Sequence, residues 1–86
     1  MKSLSEIIDR IRELIVETGS SDLSLDEINT NDPFTKMGLD SIDYASIVIQ
    51  LEQDTNANVL DKEIEWHKVA TPNDLASLFL KEIDNE

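Results

Sequence analysis

A chain of 86 residues is one domain's length, with a single thin core and little room for an elaborate enzyme cleft. Nineteen acidic residues against seven basic ones give a net charge of −12, which argues against a nucleic-acid face and against an anionic membrane surface. With no cysteine, disulfides, thiolate metal sites and a cysteine nucleophile are excluded.

The partners that suit such a charge are proteins with basic patches, met through electrostatic steering; solubility alone is the plain alternative. Two glycines and two prolines favour long regular elements, and 5% aromatics argues against a β-sandwich or a base-stacking platform. The opening residues Met1 to Glu6 lack the apolar core of a signal peptide. No apolar run approaches membrane-spanning length, so a soluble cytoplasmic monomer, one domain over residues 1–86, is expected.

In chain order, Ser3 and Glu6 have capping-box spacing. Leu4, Ile7, Ile8, Ile11, Leu14 and Ile15 then recur at helical spacing, which predicts an amphipathic helix to Thr18 with Gly19 as its stop. Residues 19–40 lose periodicity and are rich in turn formers. Leu23, Leu25, Ile28 and Phe34 are expected to pin this long loop to the core. A second helix starts at Asp40 or Ser41, with Asp40 as N-cap and Asp43 in the first turn, and ends near Asp54 to Asn58. It carries more apolar surface than one buried stripe needs. Ile47, Val48 and Leu51 are expected in the core, and Ile42 and Ile49 outside it. Asp61 is expected to cap a short third helix holding Ile64, Trp66 and Val69. Thr71-Pro72-Asn73-Asp74 reads as the start of the last helix, carried by Leu75, Ala76, Leu78, Phe79, Leu80 and Ile83. The fold class is all-α: three long helices, one short one and a long first loop.

The segment from Asp32 to Asp43 holds Phe34, Gly38, Asp40, Ser41 and Ile42 in an order that resembles the attachment motif of acyl carrier proteins, Gly-x-Asp-Ser-Leu/Ile with a Phe four residues before the Gly. The resemblance extends over nearly the whole chain and implies the four-helix carrier bundle. It implies a 4'-phosphopantetheine arm, taken from CoA, on Ser41, with Gly38, Asp40 and Ile42 as the rest of the motif. It also implies contacts of Asp40 with the transferase and its metal ion.

The residues are consistent with that implication. A helix N-terminus has unpaired N–H groups and partial positive charge, so it tolerates a phosphodiester. Gly38 permits a tight turn. Nothing in the motif resembles a general base for Ser41, and His67 is the only histidine, which suits a serine modified by another enzyme rather than a nucleophile. The protein is then a non-catalytic carrier. The bland alternative is a serine that merely caps a helix.

In carrier families the exposed face of helix two docks partner enzymes, which makes Asp43, Ala45, Ile49 and Glu52, beside Ile42, the docking candidates. The implied partners are a phosphopantetheinyl transferase and acyl-loading, condensing or transferring enzymes with basic patches, in fatty-acid, polyketide or related specialised biosynthesis. The chain departs from fatty-acid-synthase carriers at Ser46, often Glu there, at Tyr44, usually small, and at Thr55, commonly Phe. Trp66 adds bulk where the family's acyl cavity lies, so Tyr44 and Trp66 are expected to reshape that space, with plain core filling the alternative for Trp66.

An aminoacyl or peptidyl carrier shares the fold and serine, though the acidity leans toward acyl carriers. A non-carrier helical interaction module is a further alternative. Asp22, Asp26, Asn29 and Asp32 lack the alternation of a calcium loop, and the Gly-x-Ser-x-Gly elbow of hydrolases is absent.

Overall fold

The computed structural model describes residues 3–19 and 23–84, so Ser20, Ser21 and Asp22 in the first loop lie outside the described residues. Three α-helices form: α1 (Leu4–Thr18), α2 (Ser41–Thr55) and α3 (Pro72–Asp84). Single 3-10 turns occupy Leu25–Glu27, Phe34–Met37 and Trp66–Lys68, and there is no strand among the described residues.

Each helix starts where a side chain three residues away can reach an orphan backbone N–H. Ser3 accepts from the Glu6 N–H at 3.3 Å. Thr71 accepts from the Asp74 N–H at 3.1 Å, and the Asp74 carboxylate accepts from the N–H groups of Ala70 and Thr71. Such caps satisfy donors that have no partner inside the helix. At its far end α1 closes on Gly19, whose N–H reaches Ile15 at 2.9 Å in extended backbone.

α1 lies against both α2 and α3, which rest on it more than on each other. Ile7, Ile11, Leu14 and Ile15 of α1 meet Ile47, Val48 and Leu51 of α2 and Leu75, Ala76 and Phe79 of α3 in one core. Ile28, Phe34, Met37 and Leu39 bring the first loop into it. That loop is also tied to the segment before α3: the Phe34 N–H donates to Ala70 at 2.9 Å and the Asn73 N–H to Thr30 at 3.1 Å. Across α1 and α2, Arg10 Nε donates to Asp54 Oδ2 at 2.7 Å. This bond holds the Asp54 carboxyl below its usual range.

The expected short helix is reduced to the turn Trp66–Lys68, and Asp61 does not cap it. Asp61 instead accepts from Asn58 Nδ2 at 3.0 Å. A helix nucleus costs several fixed dihedrals per hydrogen bond, and Ile64, Trp66 and Val69 are only partly buried. Three half-buried side chains in so short a stretch do not offset that cost beyond one turn.

Phe79 is the largest of the fully buried side chains. Phe79→Ala should remove about 3–5 kcal/mol of unfolding free energy, a large share of the roughly 5–15 kcal/mol that a domain holds. Urea denaturation checks this; a loss under about 1 kcal/mol would show a core that collapses around the gap.

Candidate functional site at the start of α2

The site is built by an abrupt change from loop to helix. The turn Phe34–Met37 buries Phe34 and Met37. Gly38 then takes the left-handed conformation, φ 75°, where a side chain costs about 1–2 kcal/mol. A Cβ there would meet nothing within 4 Å, so the backbone angle rather than crowding calls for glycine. Leu39 returns to the core and is 5% exposed. Asp40 stands outside it, in extended backbone, as the N-cap of α2.

Asp40 and Asp43 close a reciprocal capping box. Asp40 Oδ1 accepts from the Asp43 N–H at 2.9 Å, and Asp43 Oδ2 accepts from the Asp40 N–H at 3.3 Å. The Tyr44 N–H donates to the Asp40 carbonyl at 3.0 Å and opens the helical ladder. The cap of α2 is therefore Asp40, and Ser41, the first helical residue, is exposed without that duty. His67 is exposed, 3.8 Å from Glu65, in an ordinary surface pairing. Among the described residues no group of histidine and acidic side chains could hold a metal ion.

Beside Ser41 opens a cleft of about 330 Å³, lined among others by Phe34, Leu39, Ser41, Tyr44, Trp66 and Val69. Its walls are predominantly apolar, with Thr35, Asp40 and Ser41 the exposed polar residues of its lining. Tyr44 is its best-held wall. The Tyr44 hydroxyl donates to the Val69 carbonyl at 3.0 Å. Its ring meets Phe34 edge-on at 4.9 Å between centroids and Trp66 at 6.1 Å. Burial, with Asp74 adding repulsion, pushes the Tyr44 hydroxyl up to about 12.

The outer face of α2 carries Ile42, 74% exposed, Ala45, and Ile49, 46% exposed, while Ile47, Val48 and Leu51 are buried. The spacing of Ile42, Ala45 and Ile49 puts them along one stripe. Asp43 is half-buried within the capping box. Glu52, expected on the acidic rim, is committed elsewhere: its carboxylate accepts from the N–H groups of Val59 and Leu60 at 2.7 and 3.1 Å. It anchors the loop that follows α2. Thr55 performs a similar service, donating to the Leu51 carbonyl at 2.6 Å and accepting from the Ala57 N–H at 3.2 Å.

Sequence reasoning missed Leu39 and Val69 as walls of the cleft. Leu39 sits in an aperiodic loop, and Val69 contributes through its backbone oxygen as well as its side chain. Neither role has a local pattern to betray it.

The family model for the phosphopantetheine attachment site matches residues 9–79 of the chain. No curated protein and no solved structure matches it significantly. The matched span includes α2, the whole first loop, the capping box and every residue that lines the cleft.

Tyr44 is the only tyrosine, so the tyrosinate absorbance reports it alone. An alkaline titration should give a midpoint near 12 instead of the ordinary 10.0. Folding favours the neutral hydroxyl, so its contribution to stability is complete below pH 10 and lost as pH rises through about 12. A midpoint at the ordinary value in the folded protein would show that the hydroxyl is not buried.

Proposed function

The chain belongs to the phosphopantetheine-attachment family, and from that premise we propose that it is an acyl carrier protein whose arm is attached to Ser41. Members of this family are carriers that hold a covalent 4'-phosphopantetheine and are modified by a phosphopantetheinyl transferase. The observation that carries the choice of residue is the exposed Ser41 hydroxyl on the first position of α2, at the rim of an apolar cleft.

The residues present fit the group. A phosphodiester on Ser41 would meet the positive end of α2, where the helix dipole and early N–H groups favour an anion. Because Asp40 already caps the helix, modification of Ser41 removes no structural hydrogen bond of that cap. When bound, the arm supplies the thiol on which acyl groups ride as thioesters, a thiol that this cysteine-free chain does not have.

The exposed isoleucines of α2 form the apolar centre of the docking face, with Asp40 and Asp43 beside it. Such a surface suits brief contact with basic partners: charge speeds encounter, and a small apolar centre limits residence. The partners are the transferase and the acyl-loading, condensing or transferring enzymes of fatty-acid, polyketide or specialised biosynthesis. The carrier serves them as a cytoplasmic monomer. No helix among the described residues is long and apolar enough to cross a membrane.

Incubation with CoA, magnesium and a broad transferase should add the mass of one phosphopantetheine. Ser41→Ala should add none while keeping its helical spectrum, since the cap stays with Asp40. Mass gain by the Ser41→Ala protein would assign the arm to another residue. Loading by amino-acid adenylating enzymes in place of acyl donors would move the carrier to the aminoacyl class.

The docking face is tested on the same reaction. Ile42→Ala should lower the transferase kcat/KM about 5–30-fold, the effect of about 1–2 kcal/mol of lost apolar contact. Its thermal midpoint should be unchanged because the side chain is outside the core. An unchanged kcat/KM would remove Ile42 from the interface.

A further inference from the structure

α2 reaches the core late. Its first buried side chain is Ile47. Before it, Ser41, Ile42, Ala45 and Ser46 are exposed, and Asp43 is held within the capping box. Tyr44 is the one hydrophobic side chain of this stretch that packs against the core. Helix ends fray where nothing outside the helix holds them. The tertiary hold on the turn that carries Ser41 therefore falls on Tyr44.

That hold has a direction. The Tyr44 hydroxyl donates to the Val69 carbonyl at 3.0 Å. The next carbonyl along the chain, that of Ala70, accepts from the Phe34 N–H at 2.9 Å. The Phe34 and Tyr44 rings meet edge-on between these two bonds, with centroids 4.9 Å apart. Phe34 precedes Ser41 in the chain and Tyr44 follows it, so consecutive backbone oxygens fix both arms of the attachment turn to one short segment. That segment is itself anchored. The N–H groups of Ala70 and Thr71 donate to Asp74, the Asn73 N–H donates to the Thr30 carbonyl, and Pro72 is fully buried. None of these bonds uses Ser41 or the outer stripe of Ile42, Ala45 and Ile49.

We propose that Tyr44 is a positioning residue for the modification of Ser41: by tying the first turn of α2 to the Val69 carbonyl, it presets the direction in which the Ser41 hydroxyl is offered to the transferase. The inference rests on attachment at Ser41. In that transfer the Ser41 oxygen bonds to the phosphorus next to the pantetheine of CoA, the bond from that phosphorus to the nucleotide leaving group breaks, and the hydroxyl proton passes to a base on the transferase. Such a displacement is sensitive to placement, since an error of about 1 Å can cost about 100-fold in rate. Tyr44 acts on that placement and leaves the docking stripe as it is.

The test follows single turnovers of the full apo chain with CoA and magnesium over a range of transferase concentrations. This separates the rate within the complex from the half-saturating concentration. Tyr44→Phe keeps the ring and removes the bond to Val69. It should lower the saturated rate about 3–10-fold, the worth of one hydrogen bond, and leave the half-saturating concentration unchanged. Amide exchange at Asp43 and Tyr44, which reports the first turn, should quicken in the same variant. Ile11→Val, a fully buried position on α1, loses comparable stability away from the site and should keep the wild-type rate.

A wild-type saturated rate in Tyr44→Phe overturns the proposal. A rise in the half-saturating concentration without loss of rate also overturns it, by placing Tyr44 in the docking contact. Equal slowing in Ile11→Val does so too, by reducing the effect to global stability, as does a slower Tyr44→Phe whose first turn exchanges as in wild type. Wild-type protein that gains no mass under these conditions refutes the carrier reading and the positioning role with it.

Discussion

The structure depends on how abruptly α2 begins. Leu39 and Ser41 are two residues apart, yet one belongs to the core and the other to the surface. The backbone must leave a buried turn and enter a helix through the single residue Asp40. Gly38 makes the change of direction possible by taking a left-handed angle at little cost. Asp40 then captures the Asp43 N–H and settles where the helix starts. Together these two residues relieve Ser41 of any part in the cap. A serine in that position can be esterified without loosening the helix that presents it.

From that start, α2 runs with apolar residues on two sides. Ile47, Val48 and Leu51 complete the core against α1, and Ile42, Ala45 and Ile49 remain outside. α1, by contrast, buries Ile7, Ile11, Leu14 and Ile15 and leaves Glu6, Asp9 and Glu13 in solvent. An isoleucine that is 74% exposed adds little to the fold, and the proposed docking face would give it a use. The surrounding charge of −12 repels a second copy of the chain and attracts a basic surface. In the proposed docking, the long-range field would act first and the small apolar centre second.

The helix starts were legible in the sequence because caps are local. Ser3 with Glu6, Asp40 with Asp43, and Thr71 with Asp74 each pair a side chain with a backbone group three residues away. The surplus of apolar residues in α2 likewise announced exposed isoleucines. The turn at Trp66 was read as a helix because a few apolar residues near an aspartate mimic the start of one. Glu52 was read as a rim charge because a carboxylate on a helix gives no sign that backbone donors seven and eight residues later will take it. The Tyr44–Val69 bond, across 25 residues, and the Arg10–Asp54 bond, across 44, have no periodic signature at all. They exist because the packing of α1, α2 and the loops brings their partners within reach.

Tyr44 connects the frame of the molecule to its cleft. It lies three residues after Ser41, close to one turn along α2, so any movement of its ring is felt at the mouth of the cleft. The core that stabilises the fold runs through α1, with Phe79, Ile7, Ile11 and Leu51 fully buried. The cleft lies to the side of this core, between the start of α2 and the loop segment that holds Trp66 and Val69. Its walls come from three places: the core residues Phe34 and Leu39, Tyr44 on α2, and the half-buried Trp66 and Val69 at a single turn. Segments with few buried contacts open at lower free energy than the helices they connect. The hydroxyl bond of Tyr44 and its edge-on contact with Trp66 join α2 to that turn across the cleft. A smaller side chain at this position would leave the loop without the bond to the Val69 carbonyl.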